Sequence, residues 1–184
     1  MIRKLELNEL SNIYREYIRK DFPKRERPPC FVIKNNMKKN AQEGFIYVEE
    51  DIELGYAINS ISTYAILISL FAVFEGNRKK GIGTKFLQEI IKNYDNKKAV
   101  IVEVEKPEDA KSDEQRILRE KRISFYERVG FKICKDIEYN IFGIPMYLMV
   151  YSKDELTKEE IIKYMKEVYG FTLRKEFSHM LKIK

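Results

Sequence analysis

The chain has 184 residues, 44% hydrophobic and 35% charged, with 35 Lys and Arg against 29 Asp and Glu for a net charge of +6. That length suits one domain with a substantial core, and no apolar run approaches the roughly 18 residues of a membrane span. Two separated cysteines, Cys30 and Cys134, and one histidine, His179, argue against a disulfide framework, a metal site and a His-centred triad.

In chain order, residues 2–5 predict a short strand. Asn8 is placed to cap a helix whose apolar positions are Leu10, Ile13, Tyr14, Tyr17 and Ile18. Asp21-Phe22-Pro23 ends it, and Arg27-Pro28-Pro29 suits the start of a second helix running towards Asn40. Residues 44–49 and 53–59 read as strands joined by the turn Glu50-Asp51, and residues 64–74 as a long buried strand. The next helix carries the stripe Ile82, Phe86, Leu87, Ile90, Ile91 and Tyr94. A strand over 99–105 follows, closed by Pro107. Ser112-x-x-Gln115 is a capping box for a helix through Val129, with Gly130 as its stop. Residues 131–137 and 145–151 predict two strands around a turn at 140–143. Thr157-x-x-Glu160 caps a last helix bearing Ile161, Ile162, Met165, Val168 and Tyr169. The order is that of an α/β domain with a mixed, mostly antiparallel sheet flanked by helices.

Two motifs carry chemistry. The strand Leu70-Phe71-Ala72-Val73 leads into Arg78-Lys79-Lys80-Gly81-Ile82-Gly83-Thr84 and at once into a helix. Such a turn can hold a phosphate group on backbone N–H groups at a helix N-terminus, where the dipole favours anions. Gly81 and Gly83 let the backbone approach the ligand closely, and the basic residues add charge. A nucleoside triphosphate is disfavoured because no Gly-Lys-Ser/Thr step is present. One β-α unit downstream comes Arg122-Ile123-Ser124-Phe125-Tyr126-Glu127-Arg128-Val129-Gly130-Phe131, a helix end followed by a strand.

With both motifs in order and spacing, residues 2–151 resemble the GNAT superfamily of acyl-coenzyme A-dependent N-acyltransferases. The resemblance implies acetyl-CoA as cosubstrate and a GNAT-like sheet in which the fourth and fifth strands splay apart. The pantetheine arm would pair with the backbone of Phe71, Ala72 and Val73 like an added strand. The N–H of Phe71 would polarise the thioester carbonyl. The N–H groups of Arg78, Lys79, Lys80, Gly81, Ile82, Gly83 and Thr84 would take the pyrophosphate. Tyr126 matches the tyrosine that serves near the coenzyme sulfur as general acid. A phenol near pKa 10 is a weaker acid than a thiol near 8.5, so full proton transfer to the thiolate is uphill by roughly 2 kcal/mol. Tyr126 is therefore expected to act mainly as a hydrogen-bond donor to the developing thiolate.

The chain departs from the family pattern in two places. A lysine-like amine is only about 0.04% neutral at pH 7, so a base is needed. The strand-four position where some branches carry a glutamate is Leu67, and residues 64–74 hold no carboxylate. Glu103 and Glu105 are the nearest substitutes. They alternate with Val100, Val102 and Val104 and so share the opposite face of their strand. Both are candidate bases, with charge at a solvated strand end as the structural alternative. The second departure is Arg119 and Arg122, which stand where many members carry an asparagine and a small residue before the tyrosine. Arg119 is a candidate contact to coenzyme phosphates. The charged stretch 106–120 is a candidate flap.

The acceptor is expected to be an amine of a small molecule or a protein, and the acidic hairpin Glu49, Glu50, Asp51 and Glu53 would suit a cationic one. Basic and acidic residues alternate, as over 106–122, so neither nucleic acid nor a membrane is an expected partner. The first residues, Met1-Ile2-Arg3-Lys4-Leu5-Glu6, have no apolar run of the secretory kind, which gives a cytoplasmic expectation. Residues 1–151 are read as the acetyltransferase domain. Residues 152–184 are read as a helical extension covering that domain's own sheet or a partner subunit in a homodimer. A coenzyme A-binding module without turnover is the alternative function, motivated by the missing strand-four carboxylate.

Overall fold

The computed structural model describes residues 1–24, 26–78 and 80–184. It divides into two compact units, one of Met1–Ile61 with Ile68–Asn93 and one of Ser62–Leu67 with Tyr94–Lys184.

In the first unit, strands β1 (Ile2–Lys4), β2 (Gln42–Glu49) and β3 (Ile52–Ile61) pair antiparallel, and β4 (Ala65–Val73) follows β3 in the strand order. Helices α1 (Leu10–Ile13) and α3 (Cys30–Lys38), with the turn Tyr14–Ile18 that leads from α1 into α2 (Arg19–Asp21), supply Leu10, Ile13, Ile18 and Ile33 to a core shared with Leu5, Ile46, Tyr56, Ile58 and Leu70. The first helix differs from its sequence reading at two points. Asn8 does not cap it: the N-cap is Glu9, whose carboxylate accepts the Glu6 N–H at 2.9 Å and pairs with Arg3. Between α1 and α2, Tyr14–Ile18 form a π-helical turn. The wider turn advances the buried stripe by five residues from Ile13 to Ile18. Ile18 is fully buried while Tyr17 stays 37% exposed, its ring 4.2 Å from Phe74. Helix α4 (Ile82–Asn93) buries Ile82, Phe86, Leu87 and Ile90, as its stripe predicts.

In the second unit the order is β4, β5 (Ala99–Glu105), β8 (Ile144–Tyr151), β7 (Tyr139–Ile141), β9 (Leu181–Ile183), with β6 (Lys132–Ile133) also on β8. β4 and β5 are parallel, and the pairs among β5–β9 are antiparallel. Helix α5 (Asp113–Val129) starts on Ser112, whose hydroxyl accepts the Gln115 N–H, and stops at Gly130 in the left-handed region. Helix α6 (Lys158–Thr172) starts on a complete Thr157/Glu160 capping box. Its Ile161, Tyr164, Met165 and Val168 enter a core with Ala65, Leu67, Ala99, Ile101, Tyr139, Leu148 and Ile183. Residues 158–183 thus supply a core helix and a strand of this unit. The single strand expected over 131–137 is instead the two-residue β6. The expected 140–143 turn holds β7 and a tighter bend at Phe142-Gly143, both with positive φ.

The β2–β3 hairpin turns at Glu50 and Asp51, with φ of 48° and 61°. Two-residue hairpins favour that left-handed pair because it matches strand twist, but an L side chain there is strained by about 1–2 kcal/mol. Asp51→Gly is expected to raise stability by about 1 kcal/mol, net of glycine's entropy, or roughly 2–4 °C in Tm at this chain length. Thermal melting of the two proteins side by side measures it.

Candidate active site

The first unit carries the basic turn. Gly81 has φ +75°, a conformation that side-chain-bearing residues rarely adopt, and a Cβ built there would meet no atom within 4 Å. Its carbonyl accepts the Lys85 N–H at 3.2 Å, which opens the helical ladder. The N–H groups of Ile82, Gly83 and Thr84 therefore belong to the orphan first turn of α4. Lys79 lies outside the described residues. The Lys80 ammonium turns back to the Gly76 carbonyl at 3.2 Å.

Arg78 is already engaged. Its Nε donates to the Val73 carbonyl at 3.0 Å and its Nη2 to Asp21 Oδ1 at 2.6 Å. The other oxygen of Asp21 accepts the hydroxyl of the fully buried Tyr56 at 3.0 Å. Arg78 thus ties the turn to the end of α2 and to the last residue of β4, a role that sequence reading missed.

Phe71, Ala72 and Val73 are half-buried on β4, and the Phe71 ring lies 5.0 Å from Phe86 of α4. Gly55 on β3 is what lets that part of β4 come close. A Cβ at Gly55 would sit 2.6 Å from the Ala72 carbonyl oxygen and 3.2 Å from the Val73 Cα. The acidic hairpin is partly neutralised: Glu49 holds Lys85 at 2.9 Å, and Glu53 pairs with Arg3.

The second unit carries the candidate acid and bases. Tyr126 is buried on α5 between the edges of Phe125 and Phe131, with ring centroids at 5.1 and 5.4 Å. Its hydroxyl has no hydrogen-bond partner among the described residues. Burial pushes the phenol up to about 12, with Arg122 acting in the opposite direction. Leu67 fills the core, so nothing ionisable stands at the strand-four position.

Glu103 and Glu105 share a face of β5, as the alternation predicts, but their surroundings differ. Glu105 Oε1 accepts Arg119 at 2.6 Å and Oε2 accepts Arg122 at 3.4 Å, while Arg119 also donates to the Lys106 carbonyl at 2.7 Å. Both oxygens of Glu105 are taken, and the guanidinium of Arg119 is held on Glu105. The stretch 106–120, read as a flap, is a 3-10 turn and the first turns of α5, tied back by these bonds and by the Tyr147 hydroxyl on Glu108.

Glu103 keeps some accessible surface, yet its carboxyl is densely surrounded, and loss of water pushes its pKa above the ordinary carboxylate range. Two phenols oppose that shift by donating to it. Tyr139 of β7 and Tyr169 of α6 both bond Oε1, the latter at 2.6 Å, and the Tyr139 hydroxyl lies 3.3 Å from that of Tyr169. Oε2 accepts no hydrogen bond among the described residues. Sequence reading found Glu103 and missed both tyrosines. Tyr169 looked like one more apolar stripe residue, and Tyr139 fell beside an expected turn. No group of side chains suited to a metal ion is found among the described residues.

A mixed α/β sheet with this element order, a glycine turn after β4 and a tyrosine helix after β5 define an acetyltransferase-type fold. The family profile for the acetyltransferase (GNAT) domain matches residues 29–133, more than half of the chain, and the chain belongs to that family. No curated protein sequence matches it. Among solved structures it is similar to a protein assigned to the GNAT acetyltransferases from Bacteroides thetaiotaomicron. That match has TM-score 0.76 at 18% identity and covers 95% of this chain and 99% of the other. It is also similar to Arabidopsis thaliana NAA60 in complex with acetyl-CoA, with TM-score 0.63 at 16% identity over 84% of this chain and 99% of the other. A third similar structure is the ribosomal-protein-S18-alanine N-acetyltransferase of Escherichia coli, with TM-score 0.61 at 18% identity over 85% and 96% of the two chains.

The fit of Gly55 against β4 is open to direct measurement. Gly55→Ala forces a methyl onto a backbone oxygen and is expected to destabilise the protein by about 1–3 kcal/mol, as overpacking does. Urea denaturation reads the change, and an unaltered midpoint would refute the close approach.

Proposed function

We propose that this protein is an acetyl-CoA-dependent N-acetyltransferase that passes the acetyl group directly to the amine of a small molecule or protein. The observation that carries this reading is Glu103. The chain lacks a strand-four carboxylate, yet it holds a carboxyl on β5 by one oxygen and leaves the other open. Membership of the family, and similarity to one structure solved with acetyl-CoA and another named for alanine N-acetylation, support the donor and the amine.

On this proposal the first unit handles the donor. Backbone N–H groups from Arg78 to Thr84, that of Lys79 among them, take the pyrophosphate. The Arg78 guanidinium is held by Asp21 and its backbone N–H lies 3.4 Å from the Glu75 carbonyl, so Arg78 joins the pyrophosphate by giving up that bond, whereas the first-turn N–H groups of α4 are ready for it. The backbone of Phe71, Ala72 and Val73 pairs with pantetheine, and the Phe71 N–H polarises the thioester carbonyl.

The second unit handles protons. The lone pair of the amine forms the new C–N bond, and the C–S bonding pair leaves on sulfur. Glu103 Oε2 takes the proton whose loss from the ammonium frees that lone pair, directly or through a water, and the second nitrogen proton goes to solvent as the amide forms. Tyr126 donates a hydrogen bond to the departing sulfur. With its phenol near 12 against a thiol near 8.5, full transfer from Tyr126 is uphill by about 5 kcal/mol, so the thiolate takes its proton from solvent. With Arg119 and Arg122 both on Glu105, the base role goes to Glu103, and Arg119 is not assigned to the coenzyme.

A panel of amines with acetyl-CoA, read by free thiol and by mass of the product, tests the function. Acetyl-CoA binding without thiol release from any amine would favour a coenzyme-binding module instead. Glu103→Gln is expected to lower turnover by about 10²–10⁴-fold. The same change should stabilise the fold at pH 8 more than at pH 5. The raised carboxyl disfavours folding once it ionises, and glutamine never ionises. Tyr126→Phe is expected to cost about tenfold in turnover with acetyl-CoA affinity unchanged, the size of one hydrogen bond to a charged atom.

A further inference from the structure

We infer that the hydroxyls of Tyr139 and Tyr169 are positioning groups that hold the Glu103 carboxyl by Oε1 and leave Oε2 as the open proton acceptor, which makes helix α6 a working part of the transfer site. This rests on the reading of Glu103 as the base.

The same strand supplies an internal comparison. Two residues on, Glu105 has a guanidinium on each oxygen, as a carboxylate with a structural task does. Glu103 has two donors on one oxygen and none on the other among the described residues. Glu103 as a residue is only half-buried. A group left half-bonded beside two available hydroxyls is arranged for an incoming donor.

Both phenols are fixed from behind. Tyr139 pairs with Met146 on β8 and with Ile183 on β9, so the last strand sets its position. Tyr169 follows Val168 on α6 and lies one turn beyond Met165, both fully buried in the core. Neither tyrosine falls within residues 29–133, the span of the family profile. Around Glu103, β8 presents Leu148 opposite it, β7 presents Tyr139 and α6 presents Tyr169. On its own strand Glu105 is held by Arg119 and Arg122. Among the described residues, the two phenols are the groups whose hydrogen bonds oppose the effect of lost water on the carboxyl. Each phenol stabilises the ionised form, so removing one hydroxyl moves the midpoint upward.

The test is a carboxyl-carbon NMR titration of the full chain labelled at glutamate, with the Glu103 signal identified by its loss in Glu103→Gln. Tyr169→Phe and Tyr139→Phe are each expected to raise that midpoint by about one pH unit. Turnover with acetyl-CoA and the best amine of the panel should fall at pH 7 and recover at higher pH. Glu103→Gln/Tyr169→Phe should lose no more turnover than Glu103→Gln alone. Midpoints unmoved in both phenylalanine variants, with Glu103→Gln inactive, would overturn the inference while the base reading stands. Full turnover in Glu103→Gln would overturn the base reading itself. Should Tyr169→Phe lose its fold by circular dichroism, Tyr139→Phe, with its ring kept on a sheet strand, decides alone.

Discussion

A carboxyl group placed among apolar side chains sets conditions on everything near it. Glu103 sits on β5 between Val102 and Val104, both buried, and on the same face as the buried Ile101. An ionised carboxylate without partners there would be too costly to keep, and the usual outcome is neutralisation or recruitment of donors. Here the donors are phenols, which are weaker partners than a guanidinium. A guanidinium would have fixed the charge and closed both oxygens, as at Glu105. Phenols hold the group in place while leaving it able to gain and lose a proton. The second unit is arranged around that compromise: β7 and β9 exist as strands where Tyr139 must be fixed, and α6 packs so that Tyr169 meets Oε1.

The first unit solves a different electrostatic problem. The turn to which the pyrophosphate is proposed to bind gathers Arg78 and Lys80, and like charges so close in sequence repel one another. Asp21 offsets that by holding Arg78, and it is itself fixed by Tyr56 from the core. The backbone N–H groups that begin α4 need no such partner, because a helix start tolerates orphan donors in water. Gly81 adopts the positive φ the turn requires, and Gly55 lets β3 lie against the last residues of β4. Backbone, rather than side chains, is thus what the proposed donor site would rest on.

How much of this could be read from sequence followed the distance over which each interaction acts. The Ser112 and Thr157 caps, the stripe of α4 and the Gly81 turn are local, and all were legible. Glu103 and Glu105 were legible as a pair because strand alternation is local too. Their difference was not, since the residues that distinguish them lie 36 and 66 positions from Glu103 and 14 and 17 from Glu105. β9 was missed because three residues of Leu-Lys-Ile carry no signal without β7 beside them. The π-helical turn escaped because its sequence fits an ordinary helix equally well, and only packing of Ile18 in place of Tyr17 selects it.

The absence of a strand-four carboxylate and the presence of the C-terminal segment are two sides of one arrangement. Leu67 is buried with Ile101, Met165 and Val168 in a single core, so a carboxylate at 67 would have to be ionised inside that core. The proposed base on β5 lies one strand further along, at a position that the family span 29–133 reaches with β5 but does not cover from the β7 and α6 side. Something beyond residue 133 must then supply the hydroxyls. Residues 139–183 do so with three strands and a helix whose apolar face is already needed to close the core. The proposed base and the C-terminal segment are therefore coupled: a chain that kept Glu103 and lost α6 would hold an exposed carboxylate with an ordinary pKa, a weaker base for an amine at neutral pH.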